Sequence, residues 1–195
     1  MPSFDETPIC LSGGAEGADL QWGMVAGKAG HQVYHFIFAG HRSKAPKSEL
    51  VTLTHDMLVA ADPHLEIANK TLKRRWPVSN NWVAGLLRRN FYQIENAGSL
   101  YAVSTIGDDG LVEGGTSWAV QMMIDHHGKK GRVFVYDQKR QQWFRWEGLW
   151  VPIDSPPVPK GIWAGIGTRE LNPYGKQAIR ALLGYVSANN EVSGE

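Results

Sequence analysis

The sequence predicts an α/β fold: a Rossmann-like parallel sheet with helices on both faces, plus a small Trp-rich hairpin or flap. Three observations predict it. Short apolar runs of strand character recur along the chain, each followed by a tight turn and a stretch of helical periodicity. The first strand–turn–helix–strand set, Ile9 to Phe38, fits within about thirty residues, the size of a βαβ unit. Three of the turns are built from small residues: Gly13-Gly14-Ala15, Gly114-Gly115-Thr116 and Gly165-Ile166-Gly167-Thr168. Strands that alternate with helices in this way imply a parallel sheet covered on both faces.

Each element has its own justification. Ile9-Cys10-Leu11 is a short buried strand that ends in the turn from Ser12 to Asp19. Ala18 to Lys28 carries Leu20, Met24 and Ala26 near helical spacing and stops at Gly30. His31 to Phe38, rich in Val, Tyr, Phe and Ile, is the second strand. Helical patterning then covers Glu49 to Ala61, Pro63 to Arg75 and Asn80 to Glu95, with breaks at Pro63 and Pro77 and Ser79 as the last N-cap. Leu100 to Ser104 is the third strand, and Thr105 to Gly110 a loop. Glu113-Gly114-Gly115-Thr116 opens a helix through Trp118 and Met122 that ends at Gly128, and Arg132 to Tyr136 is the fourth strand. Gln138 to Lys160 reads as flap and extended connector, with Trp143, Phe144, Trp146 and Trp150 set among polar residues. Ile162 to Ile166 is the fifth strand and Gly175 to Tyr185 the last helix, before a polar tail after Ala188. The expected organisation is one domain over residues 1–195, in which 138–160 is the flap and connector and 161–188 a final βα unit of the same domain.

Composition narrows the function classes. The 195 residues carry 20 Lys and Arg against 19 acids, a net charge of +1, which excludes a polycation built to coat nucleic acid. No apolar run approaches the roughly 20 residues that span a bilayer, so no membrane role is expected. Met1 to Pro8 lacks the basic and apolar regions of a signal peptide. The single cysteine, Cys10, excludes an intrachain disulfide and suits a reducing compartment. The expectation is a soluble, cytoplasmic protein.

The glycine turns carry the chemistry. In open α/β sheets, ligands bind outside the carboxyl ends of the strands, where these turns lie. Glycine admits close backbone approach, and amides at helix starts favour a phosphate or carboxylate. Glycine after a strand is also common wherever a chain turns tightly, so one such turn alone says little. Neither a Walker sequence nor GxGxxG is present, which argues against ATP hydrolysis and ordinary dinucleotide binding.

Ser12-Gly13-Gly14-Ala15-Glu16-Gly17-Ala18-Asp19 resembles the signature of the SLOG superfamily, which joins the Smf/DprA DNA-processing proteins to the Lonely-Guy phosphoribohydrolases. Two further segments are similar. Arg89-Asn90 precedes the Leu100 to Val103 strand as an arginine-bearing helix does in that superfamily. Glu113-Gly114-Gly115-Thr116-Ser117-Trp118-Ala119-Val120-Gln121 resembles the Lonely-Guy phosphate loop, PGGxGTxxE. Gly167-Thr168-Arg169 with Pro173-Tyr174-Gly175 looks like the first strand–turn–helix of Smf/DprA proteins, here placed last. That order implies a circular permutation, with the Ile162 to Ile166 strand parallel to and near the Ile9 to Leu11 strand.

The resemblance implies a nucleotide or nucleotide-derived ligand and a homo-oligomer, with no further cofactor. Its phosphate would lie over Gly13-Gly14 and Gly114-Gly115-Thr116, with Arg89 and Arg169 as cationic partners and Gln121 near the sugar; Ser12, Glu16, Asp19, Gly167 and Thr168 are further candidate ligand-binding residues. Gln121 departs from the family pattern. It stands where the enzymes carry a glutamate, and an amide neither takes a proton from water nor stabilises an oxocarbenium ion by charge. Binding as a sensor or sequestering protein is therefore the first expectation. An N-glycosidase of nucleoside 5′-monophosphates is the alternative, with Glu16, Asp19 or Glu113 as replacement acid. These carboxylates also have bland readings as helix-start charges.

The remaining polar groups are weighed the same way. His31 and His35 share one strand face, and Asp125-His126-His127 ends a helix, but no group of three or four converging ligands appears, so no metal is expected. Lys70, Lys73, Arg74, Arg75, Arg88 and Arg89, with Trp76 and Trp82 nearby, form one basic concentration. It supports single-stranded DNA binding as a third reading, against which the neutral overall charge stands.

Overall fold

The computed structural model describes residues 7–127 and 132–185. Gly128, the side chains of His126 and His127, the tail after Ala188 and residues 1–6 of the N-terminal segment lie outside the described residues. The chain runs β1 (Ile9–Ser12), α1 (Ala18–Lys28), β2 (Gln32–Phe38), a 3₁₀ turn (Lys47–Glu49), β3 (Leu50–Leu53), α2 (His55–Ala60), α3 (Asp62–Leu72) and α4 (Asn81–Ile94). It continues with β4 (Ser99–Ser104), α5 (Thr116–His127), β5 (Val133–Asp137), β6 (Gln142–Trp146), β7 (Trp150–Ile153), β8 (Ile162–Gly167) and α6 (Pro173–Leu182).

All eight strands join one sheet in the order β3-β2-β1-β8-β4-β5-β6-β7. The six from β3 to β5 are parallel, and β6 and β7 add an antiparallel edge. The fold is thus the α/β, Rossmann-like class that the sequence predicts. β8 pairs in parallel with both β1 (Ile9↔Ile162) and β4 (Val103↔Gly167), the neighbourhood expected for the last strand. One core layer packs Leu65, Phe91, Trp118 and Met123 of α3, α4 and α5 against Leu100 and Val133. The opposite layer packs Trp22, Val25 and Ile179 of α1 and α6 against Tyr101 and Trp163. Among the described residues, no helix is long and apolar enough to cross a membrane.

Two local readings are corrected. The segment expected as a helix from Glu49 contains the strand Leu50–Leu53, which pairs with β2, and its helix starts only at His55, where the Thr54 hydroxyl accepts from Met57 N–H. The break expected at Pro63 is present: α2 ends at Ala60, and Pro63 sits in the first turn of α3, which needs no donor from it. The α4 cap is Asn80, whose side-chain oxygen accepts from Trp82 and Val83 amides, and not Ser79. The Trp-rich segment is a hairpin of the sheet. Trp143 is buried, Trp146 and Trp150 pack on the core, and Tyr101 anchors the following connector by donating to Pro157 O. Those tryptophans pack at the β6–β7 edge of the sheet.

Candidate functional site

The carboxyl ends of β1, β8, β4 and β5 open into one cleft of about 580 Å³. Its floor and rim come from four loops. Ala15 and Asp19 come after β1, and Gly167 ends β8 ahead of Thr168, Arg169 and Glu170. Ser104 ends β4 ahead of Thr105, Glu113, Gly114, Gly115 and Thr116, and Gln138 follows β5. α4 forms a wall through Trp82, Val83, Leu86, Leu87, Arg89, Asn90 and Gln93. The chain visits β2 and β3 on one side of β1, then crosses to β4 and β5 on the other. A crevice is expected at that crossing.

The first glycine turn is packed solid. A Cβ on Gly13 would lie within 2.5 Å of side-chain atoms of Gln93, Asp19 and Arg89, and one on Gly14 would meet Ser43 Oγ at 2.6 Å. Arg89 lies over this turn and is 4% exposed. It donates to Gly13 O at 2.5 Å and to Asp19 Oδ2 at 3.2 Å. The other oxygen of Asp19 accepts from Gly167 N–H, and Ala18 N–H reaches Thr168 O. Ser12 Oγ donates to Gly165 O. These contacts latch the turns after β1 and β8 to α4. Burial pushes the Asp19 carboxyl up, opposed by the Arg89 charge and the Gly167 amide. Burial pulls Arg89 down, opposed by Asp19. Neither partner is a free charge.

The loop between β4 and α5 is built the other way. Gly114, with φ +66, meets nothing within 4 Å of a notional Cβ, and the same point on Gly115 has Leu87 Cδ2 at 3.8 Å. The loop is braced from behind. Arg74 donates to Gly114 O and Ser117 Oγ, both at 2.7 Å, and to Val112 O at 3.2 Å. Asn90 Nδ2 donates to Gly115 O. The amides of Gly115 and Thr116 make no hydrogen bond within the described residues. Across the cleft, Arg169 is exposed and forms no hydrogen bond or ion pair among the described residues.

Of the residues predicted from sequence, the cleft therefore gathers Asp19, Arg89, Glu113, Gly114, Gly115, Thr116, Gly167, Thr168 and Arg169. It leaves out Ser12, Gly13, Gly14, Glu16 and Gln121. Glu16 pairs with Lys44 at the surface, which lowers its carboxyl pKa. Gln121 Nε2 donates to Asp125 one turn further along α5. The basic concentration is dispersed as well: Arg74 braces the loop, Arg88 binds Asp62 through two nitrogens, and Arg89 is buried. Among the described residues, no group of three His, Cys, Asp or Glu is placed to hold a metal ion. His31 Nδ1 accepts from Trp163, while His35, buried under α1, has its pKa lowered to about 4 by burial and by Arg89.

Sequence reasoning missed the α4 wall. Val83, Leu86, Leu87 and Asn90 recur at helical spacing and read as an ordinary core face. The available signal was Asn90, a polar residue on that otherwise apolar stripe. It missed Arg74 as a brace because the residues it holds lie 38 to 43 positions away.

Fold and cleft together define a Rossmann-like α/β protein with a ligand-sized crevice at the carboxyl edge of its sheet. No family model matches the chain, and no curated protein matches its sequence. Its structure is similar to the crystal structure of a protein from Syntrophus aciditrophicus SB described as a candidate molybdenum carrier protein. The two share 17% identity at a TM-score of 0.53, over 94% of this chain and 98% of that one. At that identity the likeness establishes the shared fold.

Proposed function

We propose that this chain is a SLOG-type protein that binds a nucleotide or nucleotide-derived small molecule by its phosphate, as a sensor or sequestering protein. One observation carries the reading: an open glycine loop at the start of α5, with two amides unengaged among the described residues, lines the same cleft as Arg169, which pairs with none of them. Backbone amides at a helix start and a guanidinium suit a phosphate. A cleft of about 580 Å³ is in the range of organic-ligand sites. The position of β8 beside β1 is what a circular permutation of that superfamily requires.

The structural neighbour's description suggests a second ligand, a bare tetrahedral oxyanion such as molybdate. The loop chemistry suits both, and the apolar α4 wall favours the larger one. Hydrolysis is the lesser reading because Gln121 is bonded to Asp125 and lies outside the cleft lining. Asp19, Glu113 and Glu170 are the carboxylates within it, and Asp19 is held by Arg89. The test is a panel of AMP, GMP, CMP, UMP and molybdate, followed by thermal shift and by release of free base. The expected result is a raised melting temperature with a nucleotide, lost in Arg169→Ala, and no base release. Stabilisation by molybdate alone overturns the nucleotide reading. Brisk base release by the parent overturns the binding-only role.

A further inference from the structure

We propose that Trp82 is the platform on which the planar ring of the ligand stacks, so that the cleft selects ligands with an aromatic base at one end and an anion at the other. This rests on the phosphate reading of the Gly114–Thr116 loop. The distance along α4 sets the two ends apart. Asn90 binds Gly115 O, and Trp82 lies eight residues earlier, roughly 12 Å along the helix at 1.5 Å per residue. A mononucleotide can span that length and a bare oxyanion cannot.

Trp82 is held by contacts within the fold. Asn80 caps the first turn by accepting from the Trp82 amide. The indole packs against Phe38 with centroids 5.2 Å apart and meets His41 at 5.6 Å. It is nonetheless 39% exposed, and it lines the cleft. A large aromatic held rigid on a cleft wall offers contact area at little ordering cost. Beside it, Val83, Leu86 and Leu87 present apolar surface. That surface suits the face of a ring better than the hydroxyls of a second sugar. Stacking tolerates any base, so Trp82 selects for an aromatic ring and not for one particular base.

The test is calorimetric titration of the parent, Trp82→Ala and Trp82→Phe with three probes: AMP, ribose 5-phosphate and adenosine. AMP should bind the parent about tenfold tighter than ribose 5-phosphate, the scale of one base–aromatic stack. Trp82→Ala should remove most of that advantage and leave ribose 5-phosphate unchanged. Trp82→Phe should keep most of it, which separates stacking from damage to the Phe38 contact. Equal affinity for AMP and ribose 5-phosphate overturns the proposal, as does an equal loss for both in Trp82→Ala. So does a change in oligomeric mass in Trp82→Ala with AMP affinity intact, since the indole then covers a second copy of the chain. Adenosine distinguishes the two readings: if it binds and depends on Trp82 while ribose 5-phosphate never binds, stacking stands and the phosphate cradle falls. If none of the three probes binds, both fall.

Discussion

Two glycine turns of this protein look alike in sequence and are built for opposite ends. In the turn after β1, the space beside Gly13 is filled by Arg89, Asp19 and Gln93. In the loop before α5, the space beside Gly114 is open, and the arginine that serves it, Arg74, approaches from behind. Both have glycines after a strand and a helix ahead. The difference is where the protein's own polar groups are spent. The first turn consumes its guanidinium in a buried pair that locks three elements together. The second uses a guanidinium as a brace, and its Gly115 and Thr116 amides make no hydrogen bond within the described residues. A glycine turn with a nearby arginine is therefore not by itself a phosphate site.

The sharpest way to break that contrast is Arg89→Ala. Removing one partner of a buried ion pair leaves Asp19 without its cation, and such losses cost about 3–5 kcal/mol. The expected outcome is a large fall in the denaturation midpoint. A folded, stable variant with weakened AMP binding would instead make Arg89 a ligand contact. Arg74→Ala should be milder, costing about 1 kcal/mol of stability because solvent can replace the hydrogen bonds of a partly exposed brace. Its larger effect should be on AMP affinity, since the loop loses its support. Unchanged affinity with an unchanged melting temperature would show that the loop holds its shape without Arg74.

Gln121→Glu should have the smallest effect. The new carboxylate would face Asp125 four residues on, a like-charge helical pair that costs about 0.2–0.5 kcal/mol. No base release should appear, because residue 121 does not line the cleft. Turnover of AMP by this variant, followed as free adenine, would contradict the placement of Gln121.

Much of the fold was legible in the sequence. Runs such as Leu100 to Val103 and Val133 to Tyr136 have the continuous apolar character of strands buried on both faces. The exception, β3, is four residues long at the sheet edge, and its burial is only partial before Leu53. Its β-branched pair, Val51 and Thr52, was the local clue, outweighed by the helical pattern that follows. The candidate site was legible by position and not by role. Arg89 was found as a cation near the turns, but its commitment to Asp19 depends on a contact across 70 positions. Trp82 was visible only as an aromatic near basic residues, because the cavity beside it is made by elements far along the chain.

We propose that the Gly114–Thr116 loop receives an anion while the Gly13–Gly14 turn holds the fold. Amide chemical shifts during titration of the ¹⁵N-labelled protein with AMP test it most directly. The account predicts that the Gly115 and Thr116 amides move steeply and saturate together, while Gly13 and Gly14 move little. Saturating shifts at Gly13 and Gly14, with Gly115 and Thr116 still, would contradict it.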